Sequence, residues 1–105
     1  MIMKNAALSL LTCLICTLTT TNILAANVNK GREVYDKNCQ ICHGADGKGV
    51  VADAPDFSFG EELMKQDTEL FNAISLGRGM SPAYRGILSE EEIFDVISYL
   101  RMLQR

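Results

Sequence analysis

The stretch "NCQICHGADGKG", residues 38–49, sets two cysteines two residues apart and follows them at once with the chain's sole histidine and a run of glycines. Cysteines so spaced serve as a redox dithiol, as half of a zinc site, or as the attachment point of a c-type haem. A dithiol normally sits near a β-α-β pattern, and no strand-like alternation of useful length runs through this chain. A structural zinc needs four protein ligands. Beyond residue 26 there are two cysteines and one histidine, so a carboxylate would have to complete the set. The haem reading needs nothing added. Two thiols on one helical turn can each add to one vinyl group, and the next residue then offers an imidazole to the iron. Cys39 and Cys42 are therefore the expected covalent anchors of one haem c, and His43 the expected first axial ligand.

The start of the chain decides which cysteines count. Met1 to Asn5 carries one positive charge, residues 6–18 are almost wholly apolar or small, and Ile23-Leu24-Ala25-Ala26 ends in small residues. That order is a secretory leader, and the apolar run is short for a membrane span of about 20 residues. Cleavage is expected after Ala26, with Ala25 as second choice, so residues 1–26 form the signal peptide and 27–105 the mature domain. An uncleaved N-terminal anchor is the lesser alternative. Cys13 and Cys16 repeat the C-x-x-C spacing but lie in the segment to be discarded. The formal charge of −3 over 105 residues, with no basic stretch, speaks against nucleic acid as a partner. A mature chain this short commonly needs a staple beyond its own side-chain core.

Downstream, Gly31, Tyr35 and Cys39 recur at helical spacing, which predicts a helix over 28–42 with Asn29 as its cap. Glycines at 44, 47, 49 and 60 with Pro55 mark a loop. A short helix is expected over 61–65 and another over 68–76, capped by Asp67 and ended by Gly77. Residues 77–82 are a second loop. Ser89 with Glu92 makes a capping box for a last helix whose buried stripe is Ile93, Val96, Ile97 and Leu100, with Tyr99 and Leu103 at its margins. The second axial ligand cannot be a histidine. Met64 and Met102 sit on helical segments and read as packing residues, whereas Met80 lies in a Gly/Pro loop without an obvious core role, and is the expected ligand.

These motifs resemble the small single-haem bacterial c-type cytochromes with His/Met ligation. The resemblance spans nearly all of 28–105 and rests on Gly31, Tyr35, Cys39-x-x-Cys42-His43-Gly44, Gly47-x-Gly49, Pro55, the Met80 loop and Tyr99. It implies an all-α, cytochrome c-like fold of three to four helices wrapped around one covalently attached haem. It also implies a close crossing of the first and last helices at Gly31, with Tyr35, Val96 and Tyr99 packed there. The Pro55 carbonyl is expected against the free ring N–H of His43, fixing the tautomer. The family often has proline directly after the ligand methionine, whereas here Ser81 precedes Pro82. Arg78, Arg85 and Tyr84 are candidates to meet the haem propionates; ordinary solvated charge, or packing for the tyrosine, is the alternative. Phe57, Phe59, Phe71, Ile74, Leu76, Ile87 and Ile97 are expected to line the haem.

The function so implied is electron transfer, not catalysis. A monomeric periplasmic carrier would dock briefly with a redox protein donor and acceptor, with no nucleic acid partner and no membrane span in the mature form. Two alternatives stand beside it. One is a haem subunit dedicated to a dehydrogenase or oxidase. The other, if Met80 is labile, is a haem that reacts with gases or peroxide.

Overall fold

The computed structural model describes residues 25–105. The expected leader, with Cys13 and Cys16, lies outside the described residues except for Ala25 and Ala26, which are exposed and outside any helix. The elements in chain order are α1 (Val28–Asn38), α2 (Gln40–His43), a 3-10 turn (Phe57–Phe59), α3 (Asp67–Leu76) and α4 (Glu90–Leu103). Among the described residues β structure is limited to two isolated bridges, Arg78 with Ser81 and Arg85 with Leu88. The all-α expectation holds.

The start of α1 corrects the sequence reading. Asn27, not Asn29, is the cap: its side chain accepts from the N–H groups of Asn29 and Lys30, both at 3.1 Å. The single helix expected over 28–42 is two, because Cys39 leaves helical geometry at φ −116° and ψ −33°. The break is shallow. Cys39 N–H still donates to the Tyr35 carbonyl at 2.8 Å, and His43 N–H to the Cys39 carbonyl at 3.0 Å. Gly44, at φ 79°, ends α2. The glycine loop then folds back, so that Gly49 N–H donates to the His43 carbonyl and Val50 N–H to that of Cys42, at 2.8 and 2.9 Å. The helix expected over 61–65 is instead a succession of turns.

Asp67 is the first residue of α3, not its cap; the N–H of the capping residue Gln66 donates to the Glu69 carboxylate at 3.0 Å. The Asp67 carboxylate is drawn elsewhere, to the Arg101 guanidinium of α4. Arg101 also donates to the carbonyls of Leu63 at 2.6 Å and Lys65 at 3.0 Å, so one side chain ties three segments. The α4 capping box forms as expected: Glu92 N–H donates to Ser89 Oγ at 3.1 Å and Ser89 N–H to the Glu92 carboxylate at 2.8 Å.

α1 crosses α4 at Gly31, where a Cβ would overlap the Asp95 carbonyl oxygen and stand 2.5 Å from its carbon. Only glycine lets the backbones approach so closely. Beside the crossing the Tyr35 and Tyr99 rings meet at 5.3 Å. Tyr35, Ile93, Val96 and Ile97 are essentially fully buried, and Val34, Phe57, Leu63, Leu70 and Leu100 complete the core. α3 closes one side through Phe71, stacked on Phe94 at 4.9 Å.

A candidate haem pocket

The two loops and the break after α1 enclose a cavity of about 410 Å³. Its floor is the end of α1 and α2, which brings Asn38, Cys39, Cys42 and His43 to one wall. The glycine loop adds Val51, Ala54, Pro55 and Phe57; Ile74 comes from α3, and Val96 and Leu100 from α4. The second loop closes the rim with Arg78, Met80, Pro82 and Tyr84. Apart from the rim the surround is mostly apolar, which suits a large flat ligand with few polar atoms.

Both cysteines are unpaired thiols. Burial, with a smaller contribution from the neighbouring Cys42, pushes the Cys39 thiol up to about 11, so it is held protonated at neutral pH. Burial also holds the His43 imidazole below its ordinary value, keeping it neutral and fit to donate a lone pair to a metal. The ring stacks on Phe57, with centroids 4.7 Å apart and planes at 27°. His43 Nδ1 is buried and makes no hydrogen bond. The Pro55 carbonyl expected beside it is thus not its partner in this structure, although Pro55 does line the wall. A buried ring nitrogen without a partner is rare in a finished core. The His43 imidazole and the two unpaired thiols on the same wall are the donor set that covalent haem attachment needs.

Met80 lies on the rim and is 94% exposed. It sits in a tight turn closed by Ser81 N–H donating to the Arg78 carbonyl at 3.0 Å. Arg78 also reaches the pocket but is paired with Glu62 at 3.4 Å. Tyr84 donates its hydroxyl to the Asn38 carbonyl at 2.8 Å, which ties the second loop to the end of α1. Its phenol is raised, by burial first and by the Cys39 and Cys42 thiols second. Arg85 is exposed and does not border the cavity; the structure does not bring it to the site.

The expected lining is corrected as well. Phe57 and Ile74 border the cavity, but Phe59, Leu76 and Ile87 are exposed at 83%, 63% and 66%. Phe71 and Ile97 pack into the core instead. Val51, Ala54, Val96 and Leu100 were not foreseen as lining. The first two carry no signal in a glycine-rich loop. The last two were visible as a helical stripe, but a stripe does not say whether it faces side chains or a cofactor.

Over residues 26–100 the chain matches the family model described as cytochrome c oxidase, cbb3-type, subunit III. It is 31% identical over 105 residues to a cytochrome c6 from Synechococcus sp., covering 89% of this chain and 88% of that one. It is 35% identical over 86 residues to the cbb3-type cytochrome c oxidase subunit CcoP of Azospirillum brasilense, covering 75% of this chain and only 29% of that longer protein. Among solved structures, cytochrome cL from Hyphomicrobium denitrificans superposes with a TM-score of 0.64 at 28% identity, over 74% of this chain and 48% of that one.

Proposed function

The chain belongs to the c-type cytochrome family, and from that premise we propose that it is an exported single-haem carrier in which Cys39 and Cys42 hold haem c, and His43 and Met80 ligate its iron. It is a small electron-transfer haem protein with covalently bound haem c. The observation that carries the residue assignment is that all four side chains border one largely apolar cavity of about 410 Å³. When bound, the haem supplies a one-electron ferric/ferrous couple. The protein's residues do the rest. The two thiols make loss of the group chemically impossible without breaking a bond, which suits a protein working outside the cytoplasm. His43 is kept neutral by burial and oriented by Phe57. Phe57, Ile74, Val96 and Leu100 keep water away and so favour the less charged, reduced state. A methionine thioether favours it too.

Met80 is the assignment that most needs testing. Its turn is closed by the Ser81–Arg78 backbone hydrogen bond, and the side chain is 94% exposed at the cavity rim, so ligation requires it to turn inward. The oxidised protein is expected to show the weak long-wavelength band of sulfur-to-iron charge transfer, and Met80→Ala to remove it. Survival of the band in Met80→Ala, with its loss in Met64→Ala, sinks the assignment.

The proposed setting is the periplasm after removal of residues 1–26, with redox proteins docking briefly at the open rim. A dedicated subunit of a larger oxidase or dehydrogenase is the second reading, favoured by the match to part of a cbb3-type oxidase subunit. Purification of the native protein separates the two: a carrier elutes alone, and a subunit elutes with its enzyme.

A further inference from the structure

α4 buries a carboxylate. Asp95 stands within the stripe of Ile93, Val96 and Ile97 and is 2% exposed. Aspartate is almost never so buried unless it is paired, yet among the described residues no lysine or arginine pairs with it. Among the described residues, the hydrogen bond its carboxylate receives comes from the backbone N–H of Asn27, at 2.6 Å. Asn27 is the residue that follows the expected cleavage site. Its side chain caps α1 through Asn29 and Lys30, which fixes its own backbone nitrogen over Asp95. Beside Asp95 opens a cleft bordered by Lys30 and Glu33 of α1 and by Ser89, Glu91, Glu92 and Asp95 at the start of α4; Asn27 is not part of its lining and meets it through the bond to Asp95. The cleft therefore holds four carboxylates against one ammonium. Ala25 and Ala26 are exposed and outside the helix, so a cut between Ala26 and Asn27 leaves α1 and its cap intact.

We infer that this cleft is the receptor for the α-ammonium group created when a signal peptidase cuts the Ala26–Asn27 bond, with the Asp95 carboxylate as its partner. The inference rests on the export reading. Hydrolysis consumes one water; the carboxyl stays on Ala26, and the amine of Asn27 takes a proton at neutral pH. A neutral amide that gave Asp95 one hydrogen bond becomes a cation with three donors, and a charge-assisted bond of this kind is about twice as strong as a neutral one. The dipole of α1 opposes a cation at its cap, and Lys30 opposes it further; against both stand Glu33, Glu91, Glu92 and Asp95. Cutting after Ala25 would place the charge one residue away and leave Asn27 an amide. Processing thus replaces an amide hydrogen bond to the Asp95 carboxylate with an ion pair at the crossing of α1 and α4.

The pair fixes the sign of a pH effect. A carboxylate neighbour raises the folded pKa of the amine above its unfolded value of about 7.7–8.0. The stabilisation is then complete below that value and is lost as pH rises through the folded one. The test is N-terminal sequencing and intact mass of the exported, haem-loaded protein. Melting temperature is then followed from pH 6 to 10 for the wild type, Asp95→Asn, and a form that retains Ala26. The chain should begin at Asn27. Both variants should melt about 4–8 °C lower at pH 7, the shift that a loss of 1 kcal/mol gives a domain of this size, and their deficit should shrink at pH 10. If Asp95→Asn does not fold, the Ala26-retaining form carries the comparison. A soluble exported protein beginning at another residue overturns the inference, as does an Ala26-retaining form that melts like the wild type at pH 7. A leader that is never removed overturns the export reading as well.

Discussion

Tyr35 shows how much one side chain contributes to the site without facing the cavity. It is fully buried, and its hydroxyl donates to the Gly44 carbonyl at 2.6 Å. Burial, above all, and then the nearby Cys39 hold the phenol well above its ordinary range, so it stays a donor at any working pH. The bond pins the end of α2, and with it His43, to the underside of α1. Tyr35→Phe should cost about 1–3 kcal/mol, because the buried carbonyl is left without its donor; denaturant unfolding of the haem-loaded protein measures it. The sequence marked Tyr35 as a packing residue at the helix crossing, and the Tyr99 contact bears that out. The hydrogen bond was not legible, since it depends on Gly44 turning its backbone at φ 79°. Glu62 illustrates a surface counterpart. A hydrogen bond from Lys65 lowers its carboxyl below the ordinary 4.5, helped by the charges of Lys65 and Arg78. A lowered folded pKa gives stability that is present above the unfolded value and lost as pH falls through the folded one. Because the group is exposed, the effect should stay below about 1 kcal/mol. Glu62→Gln should lower stability at pH 7 by less than about 1 kcal/mol and converge on the wild type as pH falls through the folded pKa, so its acid limb is flatter.

At the scale of elements, the crossing of α1 and α4 decides where everything else stands. Gly31→Ala puts a methyl group into the Asp95 carbonyl, which is backbone and cannot swing away. Such overpacking costs about 1–3 kcal/mol, occasionally more, and should appear as a lower denaturation midpoint. Ser89→Ala removes the oxygen that accepts from Glu92 N–H and should cost about 1 kcal/mol. The helix was legible at this point because Ser89, Glu92 and three consecutive glutamates agree with the apolar stripe behind them. The caps of α1 and α3 were misplaced for a common reason. Asn27, Asn29 and Asp67 all have cap chemistry, and the outcome follows tertiary contacts: Asp95 under Asn27, and Arg101 drawing Asp67 into the helix so that Gln66 becomes its cap. The break at Cys39 was likewise invisible, since the apolar spacing runs straight through it.

Taken whole, the molecule shares part of its core with its pocket: Phe57, Val96 and Leu100 belong to the buried cluster and also border the cavity. At about 24 cal/mol per Å³, leaving 410 Å³ unfilled would cost at most about 10 kcal/mol, an upper bound because part of the cavity opens to solvent. A domain of this size has about 5–15 kcal/mol in total. The haem is therefore expected to be a structural member, as the short mature chain suggested, and not only the redox centre. The variant Cys39→Ser with Cys42→Ser, which cannot attach it, should lose most of its far-ultraviolet helical signal and its cooperative thermal transition. Gly31 and the capping box of α4 remain in that variant, so local helix propensity is untouched and the loss reports on the missing interior. A cooperative transition within a few degrees of the haem-loaded protein would show that the helices close on one another unaided, and that the cavity is a socket in a fold that stands without its occupant.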